Sequence, residues 1–177
     1  QAKRARARAI WRGDPEYPNQ LAEISEAPPL LWVRGSLRLN EARTLGVVGA
    51  RNASSLGTRM TRRQVSELAE AGFGIVAGLA RGIDTAAHKS ALETGTVAVV
   101  AGGVNVVYPA ENSDLMDEIA ATGLVVSEMP MGIEPRARHF PRRNRIIAGL
   151  SRALVIVEAA AKSGSLITAG LALDQGR

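Results

Sequence analysis

Six arginines and no acid lie between Glu134 and Glu158: Arg136, Arg138, Arg142, Arg143, Arg145 and Arg152. The densest stretch reads His139-Phe-Pro-Arg-Arg-Asn-Arg-Ile-Ile-Ala-Gly-Leu-Ser151. Pro141 suits the first turn of a helix, where its missing N–H is not needed. Ile146, Ile147 and Leu150 then share one apolar stripe that must pack on a core, with Arg142 and Arg145 as neighbours beside it. Cations crowded into the start of a helix repel one another and oppose the macrodipole, which favours anions there. Two readings follow: an ordinary solvated basic face, or a surface that an anion such as phosphate comes to meet.

Other residues able to handle an anion cluster where short apolar runs end in glycine. They are Gly49-Ala-Arg-Asn-Ala-Ser-Ser55, Gly78-Leu-Ala-Arg-Gly-Ile-Asp84, Gly102-Gly-Val-Asn105, the loop 130–141 and Glu158-Ala-Ala-Ala-Lys-Ser-Gly-Ser165. Glycine lets a backbone N–H approach a phosphate closely, and helix N-termini supply oriented donors. Arg51, Arg81 and Lys162 add charge to the same loops. Each glycine alone is also explained by the sterics of a strand–helix turn. Their joint occurrence with cations favours a phosphate-binding rim.

Several chemistries lack their residues. No Gly-x-Gly-x-x-Gly follows the first apolar run, and Lys162-Ser-Gly-Ser165 has the ingredients of a P-loop in the wrong order. The histidines are His88 and His139 alone, too few and too separated for a metal site. His88 reads as a helix-surface or packing residue rather than a general base, and Asp84 as a helix cap. No nucleophile–base pair emerges from spacing, so no catalytic residue, metal or cofactor is expected. Glu128 and Glu158, at strand ends, are the acids that stand out, and each loop cation either meets phosphate or pairs with Glu128, Glu158 or Asp84.

The chain of 177 residues carries a net charge of +5, distributed unevenly. Residues 1–12 hold Lys3, Arg4, Arg6, Arg8 and Arg12 without an acid, and residues 135–152 hold the six arginines, which leaves the remainder net acidic. Local basic patches on an acidic body favour binding of a polyanion. The first patch, with its alternating Ala and Arg, reads as a frayed terminus or the exposed end of a helix. There is no cysteine, no long apolar run and no apolar stretch of a secretory signal, so the cytoplasm is the expected compartment.

The elements that must position these loops alternate regularly. Strands are expected at 44–49, 74–77, 96–101, 123–127 and 153–157, and helices at about 56–71, 84–93, 114–121, 139–151 and from 166 to 174. Such alternation means a parallel sheet covered on both faces, an open doubly wound, mostly parallel sheet of Rossmann-like α/β type, whose ligands bind outside the strands' carboxyl ends. Residues 1–40 stand apart as a basic N-terminal segment and an extended, proline-interrupted lead-in, with Leu30-Leu-Trp-Val-Arg34 as a possible further strand. Residues 41–177 form the Rossmann-like unit.

Three ordered motifs then resemble a known family. Val76-Ala-Gly-Leu-Ala-Arg-Gly-Ile-Asp-Thr-Ala-Ala-His88, Phe140-Pro-Arg-Arg-Asn-Arg-Ile-Ile-Ala-Gly-Leu-Ser151 and Lys162-Ser-Gly-Ser-Leu-Ile-Thr-Ala169 look like the DNA-processing protein A (DprA/Smf) family. Tyr17-Pro18, the stretch ending at Gly35, and Gly46-Val-Val-Gly-Ala-Arg51 fit as well, so the resemblance covers about residues 17–177. It implies an extended Rossmann-like fold that binds and protects single-stranded DNA, assists loading of the RecA recombinase in natural transformation, and works as a homodimer. Carried over by motif, the implied DNA contacts are Arg51, Arg81 and Lys162, with Gly49, Gly78, Gly82, Gly164 and Ser165 shaping the pocket. Phe140, Arg142, Arg143 and Asn144 belong to the family's most recognisable stretch. Family members carry more sheet beyond the position of Arg177, often a winged helix, and many carry a helical N-terminal domain, so a core fragment is expected.

A phosphate-dominated, sequence-tolerant and salt-dependent mode of binding is expected. Only six aromatics are present, which argues against a long stacking platform; Phe140 is either a base-stacking residue or part of the core. A nucleotide-processing enzyme of the lysine-decarboxylase-like phosphoribohydrolase type is the alternative. Its Pro-Gly-Gly-x-Gly-Thr-x-x-Glu motif is matched here only by Ala101-Gly-Gly-Val-Asn-Val-Val-Tyr108, without the Gly-Thr and the Glu.

Overall fold

The computed structural model describes residues 6–36 and 38–177. Lys3 and Arg4 of the N-terminal basic patch lie outside the described residues. Seven strands, β1 (Ala7–Trp11), β2 (Leu30–Gly35), β3 (Arg43–Gly49), β4 (Phe73–Ala77), β5 (Thr96–Val99), β6 (Leu124–Ser127) and β7 (Leu154–Val157), form one sheet in the order β1-β2-β6-β5-β4-β3-β7. Strands β6, β5, β4, β3 and β7 are mutually parallel, β2 is antiparallel to β6, and β1 is antiparallel to β2.

The helices are α1 (Asn19–Ala22), α2 (Ser55–Glu70), α3 (Ile83–Ser90), α4 (Ser113–Thr122), α5 (His139–Gly149) and α6 (Gly164–Asp174). Alternating strand residues serve the two faces. Val48, Val76 and Val99 pack with Leu21, Ile146, Ile147 and Leu150 on one face. On the other, Val47 and Ile75 meet Val65, Ile83 and Ala87, while Ala98 and Val125 meet Leu115, Met116 and Ile119. Both faces are therefore buried, which is why the central strands read as unbroken apolar runs. The expected stripe on α5 is real: Ile146, Ile147 and Leu150 are fully buried, worth about 1.5–3 kcal/mol each.

One expectation needs correction. The Ala/Arg alternation does not continue a helix; Ala7–Trp11 is a strand whose Ala7 faces Arg34 across the ladder. β1 and β2, both from the lead-in before residue 40, extend the same sheet as the strands that follow. A side-chain period of two fits the Ala/Arg alternation at least as well as a helical end, and the antiparallel partner β2 decides between them.

Candidate nucleic-acid interface

The strand order reverses at β3. The chain leaves β3 through α2, α3 and α4 on one face to reach β4, β5 and β6, then returns through α5 to place β7 on the other side of β3. The loops after β3 and β7 therefore part toward opposite faces and leave a crevice at their carboxyl ends. A cavity of about 420 Å³ opens there, walled by Gly49–Arg51, Phe140, Arg143, Asn144 and the start of α6. A second, of about 470 Å³, lies beyond Phe140 over β4 and β5, and is bordered by Arg51, Gly78–Arg81, Gly102 and Val106–Glu111. Arg51, Ala80, Phe140 and Arg143 line both.

Each cation has a distinct setting. Arg51 is exposed and its guanidinium carbon stands 5.3 Å from the centroid of the Phe140 ring. Arg81 is held by Glu111, with Nη2 donating to Oε2 at 2.8 Å. Arg142 pairs with Glu128 at 3.1 Å, and Arg145 bonds both Glu128 and the Glu26 carbonyl. Arg145 thus ties α5 to the lead-in segment rather than serving the rim. Lys162 is exposed on the loop before α6, beside the cavity wall and outside it. Glu128 pairs with Arg142 and Arg145, whereas Glu158 accepts from the Ser54 N–H and hydroxyl at the start of α2.

Arg143 is the least expected case. It is 6% exposed, Nη1 donates to the Val99 carbonyl at 3.0 Å, and its buried Nε has no hydrogen-bond partner among the described residues. Burial pushes its pKa down to about 10, opposed by the Asp84 carboxylate, so it remains a cation at neutral pH. Asp84 is not a simple helix cap: its Oδ2 accepts from Gly78 N at 2.9 Å and Ala80 N at 3.3 Å, folding the loop after β4 around itself. Burial raises the Asp84 pKa, and the nearby Arg143 lowers it. His88 is fully buried, its Nδ1 is 2.7 Å from Thr96 Oγ1, and burial lowers its pKa to about 3. It is a packing residue with no access to the rim.

The glycines divide by cause. A Cβ on Gly49 would lie 2.0 Å from the Val157 carbonyl oxygen, and one on Gly78 would strike Arg143 Nη1 at 1.6 Å. Gly82 has φ +71 and a Cβ there would meet the Ala50 carbonyl at 2.3 Å. Gly49 and Gly82 face backbone that cannot yield, while Gly78 makes room for the Arg143 guanidinium held on the Val99 carbonyl. Gly164 has no such neighbour and opens α6 beside Ser165, whose hydroxyl is 2.8 Å from that of Ser163. Asn144 spans the cavity floor, with Nδ2 donating to the Gly164 carbonyl at 3.3 Å.

Sequence reasoning missed Tyr108 and Asn112. Tyr108 is 49% exposed, and its ring centroid lies 5.6 Å from that of Phe140 at a 55° tilt. With Arg51 it makes Phe140 the partition between the two cavities. Asn112 Nδ2 donates to the carbonyl of Leu79 at 3.0 Å, anchoring a buried residue held at φ 60. An aromatic residue before Pro109, just past the Gly102–Asn105 loop, was the available signal for Tyr108; nothing local marked Asn112. The N-terminal patch is remote: β1 lies five strand spacings from β3, roughly 24 Å away. There Arg8 pairs with Glu16 and Arg12 donates to the Ala22 carbonyl.

Known proteins share this arrangement. The family model described as DNA recombination-mediator protein A matches residues 8–177. Protein Smf of Synechocystis is 46% identical over 170 residues, which is 93% of this chain and 43% of that protein. The crystal structure of DNA processing protein A from Streptococcus pneumoniae superposes with a TM-score of 0.91 at 43% identity, covering 96% of this chain and 60% of that one. DNA processing protein A from Helicobacter pylori, whose structure describes a single-stranded DNA binding mode, gives 0.89 at 28% identity, covering 96% and 77%. The chain spans about half the length of the curated relatives it matches. Matched over residues 8–177, almost its whole length, this chain belongs to the DNA recombination-mediator protein A family.

Proposed function

We propose that this chain is the single-stranded-DNA-binding core of a protein that protects incoming DNA and assists RecA loading during natural transformation. The observation that carries the DNA-binding reading is the joint wall of the two cavities. The exposed Arg51 and the Phe140 ring share one cavity with the start of α6, and Tyr108 meets Phe140 from the second cavity. The backbone N–H groups of Gly164 and Ser165 and the hydroxyls of Ser163 and Ser165 receive a phosphate, with Arg51 and Arg143 supplying charge. A base rests against Phe140 and Tyr108, where stacking contributes about 1–3 kcal/mol. Contacts of this kind touch backbone and ring faces, so they tolerate any sequence. The protein acts by binding and not by catalysis, in the cytoplasm, and as a homodimer. The Helicobacter relative's single-stranded DNA binding supports the ligand, and the family supports the role in recombination.

Titration of single- and double-stranded oligonucleotides of several lengths at two salt concentrations tests this. Single strands should bind more tightly, with affinity falling steeply as salt rises. Arg51→Glu should weaken binding to every sequence and flatten the plot of log affinity against log salt. An unchanged slope would place Arg51 outside the site.

A further inference from the structure

The loop that brings Arg51 to the cavity borders a second feature on its far side. Ala53, Ser55, Thr58, Arg59 and Arg62 line a shallow groove along the first two turns of α2. Arg59 and Arg62 are both exposed and three residues apart, so their like charges are neighbours on one helix face. Neither has an acidic partner among the described residues, whereas the adjacent Arg63 is held by Glu67 at 2.9 Å. Leu56 and Met60 stand 56% and 45% exposed one turn apart beside Arg59. That is apolar surface an unpaired base can cover and a duplex backbone cannot use.

The very end of α2 is already occupied. Glu158 accepts from Ser54 N at 2.9 Å and from Ser54 Oγ at 2.8 Å, so its carboxylate holds the place an anion would take at the helix start. A strand passing this way is turned from the helix end onto its flank, where the two unpaired arginines lie. We propose that a single strand leaving the Arg51 cavity runs along the first two turns of α2, with Arg59 and Arg62 taking two further phosphates. The proposal rests on the reading of the cavity as a single-stranded-DNA site and extends it to a second contact tract.

The test compares short and long oligothymidylates, near the two ends of the ~4–16-nucleotide range of single-strand sites. The double variant Arg59→Ala/Arg62→Ala should bind the short oligonucleotide as wild type does. It should bind the long one more weakly, with the slope of log affinity against log salt reduced by about 1.4, two phosphates' worth. Arg59→Lys/Arg62→Lys should retain the wild-type slope, and Arg63→Ala should change neither oligonucleotide's binding. Thermal melts by circular dichroism should be unaltered, since the side chains are exposed. An unchanged slope with the long oligonucleotide, or equal losses with both lengths, overturns the tract. Arg51→Glu separates the two ideas. If it weakens both lengths while the α2 variant weakens neither, only the tract fails; if wild type binds neither length, the cavity reading itself fails.

Discussion

Arg51, Arg81 and Arg142 have the same side chain and different company. Arg51 lies over an aromatic ring, while Arg81 and Arg142 are neutralised by Glu111 and Glu128. An anion meets Arg51 directly but must compete with a carboxylate for the other two. Removing the competitor should therefore help: Glu111→Gln should tighten oligonucleotide binding by about two- to five-fold at low salt, the scale of an exposed ion pair, with the gain vanishing at high salt. Glu128 cannot be used this way, because its carboxylate also holds the buried Arg145. Phe140→Leu should keep the salt slope and lose about 1–3 kcal/mol of affinity, read by fluorescence titration. A change in slope instead would mean that Phe140 acts by placing Arg51 rather than by stacking.

Helix α5 shows where a sequence pattern stops informing. Its apolar stripe and its start near Pro141 were legible, because periodicity and proline geometry are local properties. That Arg143 and Arg145 are buried was not, since burial there is created by the loops after β4 and β5 and by the lead-in segment, all distant in sequence. The same limit applies to Gly78, which reads as a phosphate-binding glycine but is required to make room for the Arg143 guanidinium. Gly78→Ala should therefore destabilise the fold by about 1–3 kcal/mol in urea unfolding, the usual effect of overpacking. If stability were unchanged and only DNA affinity fell, the glycine's role would lie with the ligand. The strands β3 to β7 and helices α2 to α6 were legible in outline for the converse reason: each is a strongly patterned segment bounded by glycine or a polar loop.

The whole molecule is organised by the reversal of strand order at β3, which follows from the long-range pairing of β3 with β7, while the pairing of β2 with β6 sets the far edge. No local pattern encodes it, which is why the N-terminal patch could look like part of the binding surface when it sits on the far edge. Global stability should also carry a pH signature from His88, neutral in the fold with a pKa of about 3 against 6.5 for the free side chain. Below about pH 6.5 the unfolded chain takes up a proton that the folded chain refuses, so stability falls as pH drops toward 3. Asp84, raised by burial, opposes this over part of the range but is common to wild type and a His88→Leu variant. The stability difference between those two, from urea melts at successive pH values, should shift against wild type as pH falls below 6.5. A constant difference would mean that His88 is protonated in the fold. The central claim is that single-stranded DNA occupies the crevice between the loops after β3 and β7. Amide hydrogen exchange with and without a short oligothymidylate measures it most directly: protection should appear at Arg51–Asn52, Phe140 and Gly164–Ser165, whereas unchanged exchange there with new protection along β1 would contradict it.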